Sequence, residues 1–123
     1  MSRFTEKLVV SLEKDGKHWT LEEDFEYYTE ILGSRVYITV PAGFTTDFAS
    51  IPKIFHSFIE DRDKYNKAAV VHDWLYESKI FSRKISDKIF LEAMTVLNIH
   101  PFKRFLFYYA VRIFGGLRWI SKK

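Results

Sequence analysis

The chain has 123 residues, 47% hydrophobic and 28% charged, with twelve Phe, seven Tyr and three Trp. So much aromatic surface excludes intrinsic disorder and suffices for the core of one globular domain, residues 1–123. Zero cysteines exclude disulfide stapling, thiol catalysis and Cys-bearing zinc motifs. The net charge of +3 is uneven, because Lys103, Arg104, Arg112, Arg118, Lys122 and Lys123 follow Pro101 without a single acid. Residues 1–100 therefore sum to −3.

Residues 1–43 read as a small antiparallel β-sheet. Lys7 to Leu12 and Lys17 to Leu21 are β-rich and flank a turn signal at Asp15-Gly16. Phe25 to Thr29 is a further strand, and Arg35 to Val40 alternates cleanly before Pro41. Residues 44–62 hold a polar-aromatic loop, Phe44-Thr45-Thr46-Asp47-Phe48-Ala49-Ser50. Ser50 is the expected N-cap of a short helix with Pro52 in its first turn.

Residues 63–121 are helical in three pieces: about Asp63 to Ser78, about Ser82 to Asn98, and about Pro101 to Ile120. Gly115-Gly116 is expected to break or bend the last. The fold class is α+β: a small N-terminal sheet, a helical hairpin and a long C-terminal helix. No secretory h-region opens the chain, and the longest apolar run, Phe105 to Val111, is far shorter than the roughly 20 residues of a membrane span. A soluble protein is expected.

The chemistry concentrates in Ala68 to Tyr76, AAVVHDWLY. As a helix this segment is apolar almost all round, so His72 and Asp73 both need partners. The next helix carries Arg83 and Asp87 at i, i+4. In a hairpin turning near residue 79, His72 mirrors Asp87 and Tyr76 mirrors Arg83, which brings the four together. A carboxylate on one imidazole nitrogen fixes the tautomer and leaves the other to activate a water. Asp73 points elsewhere and is a candidate ligand for a hard cation, with Asp47 as the second. Asp47 reads equally as an Asx-turn, and the His-Asp pair equally as a satisfied structural contact. Neither G-x-S-x-G, H-E-x-x-H, a P-loop nor G-x-G-x-x-G occurs.

These residues carry two resemblances. Val40-Pro41-Ala42-Gly43-Phe44, Thr46-Asp47-Phe48-Ala49-Ser50-Ile51-Pro52, His72-Asp73-Trp74-Leu75-Tyr76, Arg83, Asp87 and Val111-Arg112 resemble a phage- and prophage-borne family, domain-of-unknown-function family 1353. That implies a protein of the virion or of the infected or lysogenic host's cytoplasm, and supplies no activity. His72-Asp73-x-x-Tyr76 with Ala68-Ala69, Asp87 and Phe90 is similar to the helix pair of phospholipase A₂. The likeness implies His72 as general base, Asp87 as its partner, Tyr76 in the dyad network and Asp73 as ligand to calcium. The Gly-rich calcium loop and the disulfides of that enzyme are missing.

Three functions follow as expectations: a metal-assisted ester or amide hydrolase, a phage structural or assembly component, and a protein that binds a host factor. The basic C-terminal helix offers a surface for anionic lipid, or a subunit contact with virion proteins or a host protein; nucleic acid is not expected. Its apolar stripe Phe102, Phe105, Leu106, Tyr109, Ile113 and Leu117 is expected to pack on the sheet or on the hairpin.

Overall fold

A computed structural model describes Phe4, residues 7–48 and residues 50–121. Ala49, Lys122 and Lys123 lie outside the described residues. Strands come first and helices after, as expected from the sequence. The strands form two small antiparallel sheets rather than one. In the first, β1 (Val10–Leu12), β2 (Trp19–Leu21) and β5 (Thr45–Thr46) lie in the order β1-β2-β5; in the second, β3 (Phe25–Thr29) pairs with β4 (Val36–Val40).

The first hairpin is shorter in strand and longer in loop than its sequence suggested. Asp15 spends its carboxylate on the N–H groups of Lys17 and His18, and Gly16 takes a φ of 71°, so residues 13–18 curl into the turn. In β4 the alternation works as read: Ile38 and Val40 are buried while Tyr37 and Thr39 face out. β5 lies inside the stretch read as loop, where two threonines complete the edge of β2.

Ser50 does not cap a helix. Its hydroxyl donates to the Ala69 carbonyl (3.3 Å), and the short 3₁₀ helix Lys53–Phe58 starts at Pro52 without a side-chain cap. Pro52 removes the N–H such a cap would need nearby, so Ser50 instead ties this loop to the first long helix.

That helix, α1 (Arg62–Ser78), is capped by Asp61 and ends where Lys79 adopts a left-handed φ of 54°. Ser82 then accepts from the Ile85 N–H and starts α2 (Arg83–Val96), closing the expected antiparallel hairpin. Tyr65, Ala68, Val71, Leu75, Ile89, Phe90 and Met94 fill the core between this hairpin and the sheets. The Tyr27 hydroxyl donates to Glu92 (2.6 Å) and pins β3 to α2.

The C-terminal helix is two helices. α3 (Pro101–Phe114) stops at Gly115, and α4 (Gly116–Ser121) follows at once. Gly115 marks a close approach, since a Cβ there would lie 2.6 Å from the Tyr76 hydroxyl oxygen. Apart from Leu106, which packs against the core as expected, the apolar stripe of this segment is turned the other way from the expectation. Phe107, Ala110 and Val111 pack inward, while Phe102, Phe105, Tyr109, Ile113 and Leu117 face out. The cations explain the reversal: Arg112 and Arg118 find their carboxylates inside, and the helix rolls to deliver them. Among the described residues, no helix is long and apolar enough to cross a membrane.

Candidate functional site

The hairpin spacing brings His72, Tyr76, Arg83 and Asp87 together. His72 Nε2 lies 2.7 Å from Asp87 Oδ1, and the Tyr76 hydroxyl donates to the same oxygen at 2.6 Å. His72 and Tyr76 stand one helical turn apart on α1, with ring centroids 4.4 Å apart, and Phe90 stacks on the imidazole from α2 at 4.5 Å. Arg83 stands 3.7 Å from Asp87 Oδ2 and spends its N–H groups on the carbonyls of Val111 and Arg112. It therefore ties the α2 N-terminus to the α3 C-terminus.

Asp87 has a further charge partner in Arg112, whose Nη1 donates to Oδ2 at 2.7 Å. The sequence reading placed Arg112 on a lipid- or subunit-facing surface and missed this contact. A signal existed. With six cations and no acid in the last segment, any ion pair it makes must be with the first hundred residues, which hold the excess of carboxylates.

Asp87 is fully buried. Burial pushes its carboxyl up, but the hydrogen bond and charge of His72, with the bonds from Tyr76 and Arg112, outweigh this and hold it below the ordinary carboxylate range. Tyr76 moves the other way, because burial and the adjacent carboxylate both resist its ionisation. It is a hydrogen-bond donor and no more.

Asp73, one position along α1, points into a different space. It lines an open polar cleft of about 470 Å³ together with His18, Thr45, Asp47, Glu77 and Arg118. The two residues proposed as cation ligands thus meet at one cleft, and Arg118 comes between them. Its Nη2 donates to Asp73 at 2.9 Å and stands 4.0 Å from Asp47. A calcium ion needs six to eight oxygens, and a guanidinium between the two carboxylates both neutralises and obstructs that set. Among the described residues, no group of three or more His, Asp or Glu is arranged to hold a metal. The donor set does not fit calcium while Arg118 is in place.

Thr46 and Ser50 do not reach the dyad. The Thr46 hydroxyl accepts from the Phe48 N–H (3.1 Å) and supports the left-handed φ of 57° at Phe48, which keeps the Asp47 loop turned toward the cleft. The other histidines have local partners: His18 with Asp15, His56 with the Ile51 carbonyl, and His100 as the cap of α3.

Residues 19–111 match a family described as a protein of unknown function, DUF1353. The chain belongs to the DUF1353 family. The match runs from β2 into α3 and so takes in His72, Asp73, Tyr76, Arg83 and Asp87. A curated relative, the uncharacterized protein y4iH of Sinorhizobium fredii, is 32% identical over 113 residues, covering 90% of this chain and 46% of that protein. The chain thus spans about half the length of that relative. No solved structure matches it.

Proposed function

We propose that this DUF1353 chain is a phage- or prophage-encoded ester hydrolase of phospholipase A₂-like chemistry, with His72 as general base. One observation carries the reading: Asp87, itself held by the Tyr76 hydroxyl, engages the imidazole through Nε2, which leaves Nδ1 as the nitrogen to take a proton from water. The water oxygen then attacks the ester carbonyl, Asp87 stabilises the imidazolium, and the proton returns to the leaving alkoxide. Arg118 supplies a positive charge in the neighbouring cleft for the developing oxyanion, a task the phospholipase A₂ likeness gives to calcium. Lipid esters are the substrate class that this likeness suggests.

The test is hydrolysis of a p-nitrophenyl ester and of a short-chain phosphatidylcholine. His72→Gln, folded by circular dichroism, is expected to lose at least about 10²-fold in rate, the usual worth of a positioned base. A wild-type rate equal to that of buffer on both substrates sinks the reading.

A second reading has its own support. His72 is only 1% exposed, and Asp87 is held by three helices at once. Such a network also suits a phage structural, assembly or host-interaction protein whose polar core only locks the helices. Under that reading His72→Gln changes the melting temperature and no activity exists to lose.

A further inference from the structure

The C-terminal helices are built inside out. Lys103 pairs with Glu60, Arg104 donates to the Ile99 carbonyl (3.0 Å), Arg112 reaches Asp87 and Arg118 reaches Asp73. Every cation described on α3 and α4 is drawn onto the body of the chain. The outer face holds Phe102, Phe105, Tyr109, Ile113 and, past the Gly115 bend, Leu117, between 44% and 81% exposed. Among the described residues no charged side chain falls between Phe105 and Leu117 on the 3.6-residue period, and Arg112, at the Phe105 edge, is turned in to Asp87. A helix whose outer side meets only water shows the opposite pattern.

Size makes the face more than scattered surface. A half-exposed aromatic or large aliphatic side chain leaves roughly 100 Å² uncovered, so these five with Phe114 and Ile120 expose roughly 700 Å². That exceeds the roughly 300–600 Å² patch usual on a monomer and approaches the roughly 800 Å² that each partner contributes to a standard interface.

We infer that this face pairs with the same face of a second copy of the chain about a two-fold axis. An uncharged apolar ridge is its own complement, and nothing of like charge meets across the axis. Phe105, Tyr109, Ile113 and Leu117 follow an i, i+4 row, the ridge that interdigitates with its own kind at a crossing angle of about −50°. The ridge is centred between Tyr109 and Ile113, so Tyr109 of each copy packs beside Ile113 of the other. A membrane surface fits less well, because an interfacial helix needs flanking cations for anionic headgroups and these have been turned inward. The inference stands whether or not the chain is a hydrolase.

Sedimentation equilibrium on the full chain, up to about 100 µM, is expected to give twice the chain mass of 14.7 kDa. Ile113 is 70% exposed, so Ile113→Glu leaves the fold and its circular dichroism unchanged while raising the dimer Kd at least about a hundredfold. The chain has no cysteine. Mixing Tyr109→Cys with Ile113→Cys chains under mild oxidation should therefore favour the mixed disulfide over either homodisulfide. A monomer throughout the range overturns the inference. So does a dimer indifferent to Ile113→Glu, or a monomer that co-sediments with anionic vesicles, which would assign the face to lipid.

Discussion

Asp73 and Asp87 are both buried carboxylates, and each is held by an arginine from the C-terminal segment, yet their surroundings differ in kind. Asp87 is 0% exposed and sits in a closed junction of α1, α2 and α3, bonded to His72, Tyr76 and Arg112. Asp73 is 2% exposed, but its partner Arg118 lies in an open cleft with about a third of its side chain in water. The same ion pair is a structural lock in one place and a replaceable plug in the other. What decides is whether water can reach the survivor when one partner goes.

The comparison breaks most visibly on truncation. Asp87→Ala leaves His72 buried without its partner and Arg112 without its carboxylate, and is expected to cost about 3 kcal/mol, the lower end of the range for breaking a buried pair. Asp73→Ala, with Arg118 solvated by the cleft, is expected to cost about 1 kcal/mol. Urea unfolding of both variants measures the gap. Equal losses would erase the distinction between lock and plug.

Acid should act through Asp87 as well. Its folded pKa is depressed below the unfolded value of about 3.9, so its contribution is complete above that value and is lost as pH falls through the folded pKa. Stability of the wild type is expected to fall as pH drops below about 4, and that of Asp87→Asn to fall less steeply over the same acid range. Parallel slopes would mean that another carboxylate governs acid unfolding.

Much of the lock was legible in the sequence, because local rules govern it. Ser82 as cap and a short turn fix the hairpin, and the hairpin then fixes which residues of α1 and α2 face each other. The rest depends on tertiary contacts that no short window contains. Arg112 and Arg118 lie 25 and 45 positions from the carboxylates they serve. Apolar periodicity alone sent Phe102, Tyr109 and Ile113 to the core, but the demand of two buried carboxylates for cations rolled the helix over. Ser50 misled for a related reason: its hydroxyl found the Ala69 carbonyl before any helix end.

Gly115 offers a smaller perturbation of the lock from outside its charges. A Cβ at this position would press on the Tyr76 hydroxyl and on the Val111 carbonyl, both backed by packed structure. Gly115→Ala is expected to cost about 1–3 kcal/mol, as overpacking does, even though alanine favours helix over glycine. Thermal unfolding checks the sign. A stabilised variant would show that α3 can run straight into α4 without disturbing Tyr76.

The smallest effect on stability should come from the plug, and it carries the most chemical information. Arg118→Ala removes a pair of which one member is 30% exposed, so a loss of no more than about 1 kcal/mol is expected. The same change takes away the guanidinium that stands between Asp73 and Asp47. If Arg118 is what keeps a divalent cation out, calcium titration by calorimetry should give no saturable heat with the wild type and a measurable one with Arg118→Ala. Adding Asp73→Asn to that variant should abolish the heat, because the site then loses a charged oxygen ligand. Saturable calcium binding by the wild type would mean that Arg118 swings aside for the ion. In the proposed hydrolysis the metal, rather than the arginine, would then face the oxyanion.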